Sequence, residues 1–369
     1  MSKPTCRALS ASSLLLSAAL AVAATGVLDA QTRAEGTIER IKVHGPSLDG
    51  NLEGDDPARD VVVYLPPSYA AEPDRRYPVV YFLHGYSVGV EAYVRLLDLP
   101  GAMDRAVAGG AREMILVLPD ALTRYGGSMY SSSLTTGDWE GYVARDLVTY
   151  VDGRYRTVPE RDSRGLSGHS MGGYGTMRIG MKHPEVFSAL YAMSSCCLMN
   201  DPARGRGAGR GRGDAPAAAA PDRGARGRAP AARGRGGDRM ANALFAQAAA
   251  WAPNPMNPPQ YFDLPTQDGV LQPVIAAKWL ANSPLVMVDQ YVPGLKQYRA
   301  IALDVGDADP LGAANLDLDR ALTRLGVSHT FEQYEGDHTN RVRERFEADV
   351  LPFFSRQLVF PTPAASAAR

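Results

Sequence analysis

The sequence predicts one α/β domain built on a largely parallel sheet. Three observations carry this prediction. Short apolar runs rich in β-branched residues recur along the chain, amphipathic segments of helical period separate the later ones, and 369 residues with 45% hydrophobic and 21% charged content can bury a sizeable core.

The predicted strands are Thr37–Val43, Asp60–Leu65, Pro78–Leu83, Met114–Leu118, Ser188–Met193, Ala300–Val305 and His329–Tyr334, with a further strand-like segment leading into Gly168. The first runs read as antiparallel strands, and β and α then alternate, which calls for parallel pairing. The predicted helices are Gly141–Val151, Gly172–Lys182, Leu316–Leu325 and Arg341–Leu358. In the first of these, Val143, Leu147, Val148 and Val151 recur at a period near 3.6, and His183–Pro184 stops the second.

Charge and cysteine content exclude several classes. A formal net charge of −1, from 39 basic and 40 acidic side chains, gives a polyanion no bulk counterion release to drive binding. Three cysteines without CxxC spacing make neither a disulfide framework nor a structural zinc site. Adjacent Cys196 and Cys197 read as small apolar residues at a strand end, because neighbouring cysteines bridge only with strain. The 34 Arg against 5 Lys, with abundant Ala, Gly and Pro, read as a compositional bias rather than a binding device.

The ends and one internal stretch stand apart. Lys3 and Arg7 precede an apolar run from Leu14 to Ala24, followed by small residues at Ala24 and Ala30, so residues 1–30 are expected to be a cleavable export signal. The run is shorter than the roughly 20 residues of a membrane span. The predicted location is therefore secreted or periplasmic, without stable membrane insertion after cleavage. One domain is expected over 31–358, with a frayed tail over 359–369. Asp201–Arg239 holds ten Arg, four Asp and no aromatic or branched apolar residue, so it is expected to be a disordered surface insertion. An Arg-Gly nucleic-acid module would interleave aromatics for base stacking, and none occurs here.

The strongest chemical signal is Gly168-His169-Ser170-Met171-Gly172, a G-x-S-x-G turn from strand to helix. Glycines flank the serine because side chains there would collide with neighbouring strands, and the turn lifts the hydroxyl above the sheet beside a helix N-terminus. A serine nucleophile needs a base, and the base needs an orienting acid. His338 follows the last predicted strand and precedes the last helix. His44, His183 and His329 sit at strand or helix ends, and His169 is expected to point away from Ser170. The acid should follow the Ala300–Val305 strand. Asp309 and Asp307 are both candidates, with Asp309 preferred because it lies further past the strand end; Asp304 falls inside the strand. The His84-Gly85-Tyr86 turn after the third strand can offer the Tyr86 N–H to an oxyanion, paired with the N–H of Met171.

These residues resemble the esterase family of α/β-hydrolases, which includes feruloyl esterase domains, S-formylglutathione hydrolases, enterochelin esterases and the antigen 85 mycolyltransferases. The matching pieces are Val63-Tyr64-Leu65-Pro66-Pro67-Ser68-Tyr69, Tyr77–Gly85, the Gly168–Gly173 elbow, and the Gly306–Pro310 and Gly336–Thr339 loops. The resemblance runs from about Gly36 to Leu358 apart from 201–239. It implies the α/β-hydrolase fold and ester hydrolysis or acyl transfer through Ser170, His338 and Asp309, with no cofactor and no metal. Export favours the feruloyl and carbohydrate-esterase branch, hence a small-molecule or carbohydrate-linked ester as partner and no nucleic acid. The alternatives are an acyltransferase with the same triad and a non-catalytic binding protein on the same scaffold. The resemblance also implies that Tyr130, Trp139 and Glu140 lie near the pocket. His84, Gly85 and Tyr125 are further candidates for its lining.

Overall fold

A computed structural model describes residues 35–203 and 236–361. The expected export signal, most of the Arg-Gly insertion and the end of the tail lie outside the described residues.

Eight strands form one sheet: β1 (Thr37–His44), β2 (Ala58–Leu65), β3 (Val79–Leu83), β4 (Ile115–Pro119), β5 (Arg164–His169), β6 (Ala189–Met193), β7 (Ala300–Gly306) and β8 (Thr330–Tyr334). Their order is β1-β2-β4-β3-β5-β6-β7-β8. β2 pairs antiparallel with β1 and β4, and every other neighbour is parallel. This is an α/β-hydrolase sheet, and the short apolar runs follow from its burial on both faces. In β3, Val79, Tyr81 and Leu83 join one core cluster while Val80 and Phe82 join the other. A strand buried on both sides has no polar face, so its sequence shows no alternation.

The helices that cover the sheet are α1 (Val90–Leu97), α2 (Gly101–Ala108), α3 (Leu147–Arg154), α4 (Met171–Lys182), α5 (Gly236–Trp251), α6 (Pro273–Ala281), α7 (Gly312–Arg324) and α8 (Leu351–Gln357). Two predicted helices prove to be composite. Residues 139–154 pass through a π-helical turn at Tyr142–Asp146, and 342–357 pass through another at Phe346–Val350. Pro352 follows the second. A proline lacks the N–H that would close an α-helical bond, so the wider turn precedes it. Among the described residues, no helix is long and apolar enough to cross a membrane.

Parallel strands place their C-terminal ends on one edge, and the loops after β3, β5, β7 and β8 meet there. The loop before β2 reaches the same region: the amides of Leu52 and Glu53 donate to the carbonyls of Leu134 and Thr135, at 3.1 and 3.0 Å. This docking buries both Glu53 carboxyl oxygens without a hydrogen-bond partner among the described residues. Burial, with the neighbouring Asp55 charge second, pushes the Glu53 carboxyl up to about 9. An unfolded chain releases this proton near 4.5, the ordinary value, whereas the folded chain keeps it up to about 9. The folded state therefore binds the extra proton in that window, and its stability falls as pH rises through it. Glu53→Gln is accordingly expected to be more stable than wild type at pH 8, on the order of 1–3 kcal/mol in urea unfolding. The gain should vanish below about pH 4.5, and a wild type that is equally stable at pH 8 would exclude a neutral buried Glu53.

Candidate active site

Ser170 stands between β5 and α4 with φ 60° and ψ −112°, outside the ordinary regions for a non-glycine residue. Such a conformation costs on the order of 1–3 kcal/mol and persists only where its surroundings enforce it. Here the Ser170 amide donates to the Met193 carbonyl at 3.0 Å, while the Ser170 carbonyl accepts from the amides of Tyr174 and Cys196 at 3.0 and 3.1 Å. The two elbow glycines are required by contact. A Cβ on Gly172 would lie 1.8 Å from the Leu83 carbonyl oxygen, and one on Gly168 would lie 2.5 Å from the Gly172 backbone.

The turn presents the serine hydroxyl to the loop after β8. His338 Nε2 lies 2.9 Å from Ser170 Oγ, and His338 Nδ1 lies 2.8 Å from Asp309 Oδ2. The other Asp309 oxygen accepts from the Leu311 amide at 2.8 Å. Burial pushes the Asp309 carboxyl up, but the hydrogen bonds from His338 and Leu311 outweigh it and hold Asp309 below the usual carboxylate range. An ionised acid facing Nδ1–H leaves Nε2 as an acceptor for the serine proton, so the arrangement can move a proton from Oγ to the ring.

The two other aspartates of this region do different work. Asp307 Oδ1 accepts from the Gly336 amide at 3.0 Å and so ties the loop after β7 to the loop after β8. Asp304 is buried inside β7, where Tyr191 Oη and Arg345 Nε donate to its Oδ2 at 3.0 and 3.1 Å. Burial pushes its carboxyl up to about 6 in spite of the Arg345 charge.

The turn after β3 packs against the elbow. A Cβ on Gly85 would stand 2.5 Å from the Tyr93 hydroxyl and 3.4 Å from Ser170 Cβ, so only glycine lets this backbone approach so closely. The following amide, Tyr86 N–H, has no hydrogen-bond acceptor among the described residues. Met171 opens α4, where the first-turn amides lack intrahelical partners. The Tyr86 hydroxyl donates to the Tyr125 carbonyl at 2.7 Å and the Ser87 amide donates to Gly126 at 2.8 Å, which tie the turn to the loop after β4.

Four residues expected to line the pocket have other surroundings. His84 is buried and neutral: its Nδ1 bonds the Gly85 carbonyl, its Nε2 accepts from the Ala121 amide at 2.7 Å, and burial pushes its pKa down. Tyr130 is buried, with its hydroxyl donating to the His84 carbonyl at 3.2 Å. Trp139 is buried, donates from Nε1 to Thr136 at 2.8 Å, and carries the Arg59 guanidinium 5.2 Å from its ring centre. Glu140 forms a buried ion cluster with Arg178 Nε at 2.7 Å and Lys182 Nζ at 2.8 Å. Burial pushes its carboxyl up, but those two charges outweigh it and hold it low. These side chains fasten the catalytic-edge loops from behind, because each has its polar atoms consumed by protein partners. Tyr125 differs. It remains partly exposed and meets the rings of Phe245 and Phe262, each with centroids 5.6 Å away.

Sequence reasoning missed Tyr93, which donates from its hydroxyl to His169 Nδ1 at 2.8 Å, and Asn315, which bonds the Ser195 amide and carbonyl at 3.1 and 2.9 Å. Neither lies in a recognisable motif. Among the described residues, no group of three or more His, Cys, Asp or Glu is placed to hold a metal ion. A surface cleft lined by Arg75, Arg76, Arg112 and Glu160 opens beside the N-terminal ends of β3, β4 and β5, at the edge opposite Ser170.

Comparisons with known proteins agree with the fold. A ferulic acid esterase structure covers 88% of this chain and 99% of its own at 21% identity, with a TM-score of 0.61. The S-formylglutathione hydrolase of Staphylococcus aureus covers 87% and 99% at 16% identity, with a TM-score of 0.56. Mycobacterium tuberculosis MPT51 covers 88% and 99% at 14% identity, with a TM-score of 0.55. In sequence, Esterase Rv1288 of Mycobacterium tuberculosis is 32% identical over 130 residues, 35% of this chain and 27% of that protein. An endo-1,4-beta-xylanase/feruloyl esterase of Xylanibacter ruminicola is 28% identical over 129 residues, 34% of this chain and 18% of that protein. These matches span about a quarter or less of the curated relatives' length. The family model described as "Putative esterase" matches residues 56–350, which contain the elbow and both loops that face it, and the chain therefore belongs to this esterase family of the α/β-hydrolases.

Proposed function

We propose that the protein is a serine carboxylester hydrolase. The observation that carries this reading is the continuous hydrogen-bonded row from Asp309 through His338 to the strained Ser170. Ser170 Oγ attacks the ester carbonyl as His338 Nε2 takes its proton. Asp309 holds the ring tautomer and balances the imidazolium. The N–H groups of Tyr86 and Met171 receive the oxyanion. His338 then gives its proton to the departing alcohol, and water, deprotonated by the same ring, hydrolyses the acyl-enzyme. The chemistry needs neither cofactor nor metal.

The acyl group we assign is short or hydroxycinnamoyl. The Tyr125, Phe245 and Phe262 rings form a triangle with centroid separations of 5.6, 5.6 and 5.8 Å, joined to the oxyanion turn through Tyr86. Flat aromatic walls suit a compact conjugated group better than a long flexible chain. The relative from Xylanibacter ruminicola carries feruloyl esterase in its name, which supports the same class. The basic start and apolar run of residues 3–24 support action outside the cytoplasm.

Ser170→Ala is expected to lower turnover of p-nitrophenyl acetate by roughly 10⁴-fold or more while leaving the melting temperature near that of wild type. A fluorophosphonate should label wild type at Ser170 and leave the variant unlabelled. More than a tenth of wild-type turnover in the variant would defeat the assignment.

Asp309→Asn should lower kcat far more than Asp307→Asn, by at least about 100-fold, because only Asp309 faces Nδ1–H. The opposite ranking would give the role to Asp307.

Methyl ferulate and p-nitrophenyl acetate should exceed esters longer than about ten carbons in kcat/KM. A preference for long chains, or product going mainly to added glycerol at millimolar concentration, would favour an acyltransferase.

A further inference from the structure

We infer that His169 is a positioning residue for the base: its Nε2–H grips the main-chain carbonyl of His338, and Tyr93 fixes the tautomer that makes this grip possible. The inference rests on the triad reading above. It gives a role to a residue that the sequence sets aside as pointing away from the nucleophile. The ring reaches the peptide that carries His338.

The assignment follows from donor and acceptor chemistry. His169 Nε2 lies 2.8 Å from the His338 carbonyl oxygen, and a carbonyl can only accept, so Nε2 carries the proton. In the neutral ring Nδ1 is then an acceptor, and the Tyr93 hydroxyl donates to it at 2.8 Å. The ring is buried, and burial together with the adjacent His338 pushes its pKa down to about 4. The two histidine rings lie face to tilted face, with centroids 4.9 Å apart. A charged His169 at that distance would oppose the imidazolium that His338 forms during proton transfer, so a neutral donor serves the base better than a cationic one.

The His338 side chain needs such support. It is 30% exposed, so packing alone does not fix its ring. Its loop is pinned at Gly336 by Asp307, and at Thr339 and Asn340 by the Asp337 side chain. His169 supplies the anchor at the base itself. The same Tyr93 hydroxyl fills the space that a Cβ on Gly85 would need. One buried tyrosine thus sets the distance between the oxyanion turn and the loop that bears the base. Displacement of a catalytic group by about 1 Å can cost on the order of 100-fold in rate.

The test uses the full chain with p-nitrophenyl acetate and a fluorophosphonate. His169→Leu is expected to lower kcat and the rate of Ser170 labelling by about 10- to 100-fold at unchanged KM. His169→Gln, whose amide can donate along the Nε2 direction, should recover at least about tenfold of a 100-fold loss at the same melting temperature as His169→Leu. A purely structural histidine would give two variants of equal specific activity per folded molecule. A folded His169→Leu with kcat within about threefold of wild type, or a Gln variant no better than Leu, overturns the inference. If His169→Leu does not fold, Tyr93→Phe decides: it keeps the ring and removes the proton that fixes the tautomer. Its kcat should fall by about three- to tenfold, and an unchanged kcat overturns the inference. Absence of ester turnover and of Ser170 labelling in wild type would defeat the hydrolase reading instead. The grip would then be read from the low-field Nε2–H proton resonance of His169, whose loss in Tyr93→Phe supports it and whose persistence overturns it.

Discussion

The site depends on a steric constraint at one turn. The chain must pass from β5 into α4 within a single residue, and the Leu83 carbonyl of the neighbouring strand leaves no room for a side chain at Gly172. The turn therefore closes on Ser170, which takes the positive φ. The strain is balanced by hydrogen bonds at both its amide and its carbonyl, supplied by Met193, Tyr174 and Cys196. A hydroxyl held in this way has little freedom to relax into the sheet, and it meets the His338 ring without a preceding conformational search.

From this turn, order spreads through polar groups that are buried and paired. Unpaired, each would cost on the order of 1–3 kcal/mol; paired, they help to fix the loops at this edge. At the surface, Asp307 joins the loops after β7 and β8 by accepting from the Gly336 amide. Glu140 joins the 139–141 turn to α4 through Arg178 and Lys182. His84 bonds the Ala121 amide and so holds the loop after β4 against the oxyanion turn. Asn315 reaches from α7 to both sides of Ser195. The loops at this edge are thus fastened by side chains whose polar atoms are paired within the protein. Tyr86, Tyr125 and Phe245 remain partly exposed among them.

Histidine illustrates how environment divides one residue type among roles. His338 is partly exposed and faces a carboxylate and a hydroxyl. His169, one residue before Ser170, is buried and kept neutral by that burial, with its two nitrogens on Tyr93 and the His338 carbonyl. His84 is buried and neutral, with both nitrogens committed to backbone. The surface histidines His44 and His183 face single carboxylates, Asp49 and Glu185. Burial penalises the charged ring, so the buried pair serve as fixed donors and acceptors.

The amino-acid sequence by itself determined the sheet, the elbow and the order of the groups facing it. Strands buried on both faces must be apolar throughout, a serine on a turn without room must be flanked by glycines, and parallel strands must end on one edge. Those requirements are local or periodic and leave marks at fixed spacing. Which carboxylate past the end of β7 faces His338 is set only in three dimensions, where a separation of two residues turns Asp309 to the imidazole and Asp307 to a backbone amide. The same is true of His84, Tyr130, Trp139 and Glu140, which motif position assigned to the pocket and which packing committed to buried partners. Tyr93 precedes His169 by 76 residues, in α1, whose buried face also carries Val90, Val94 and Leu97. Its hydroxyl gains a role from the meeting of α1, the oxyanion turn and the base loop, and such a meeting has no period or spacing to record it.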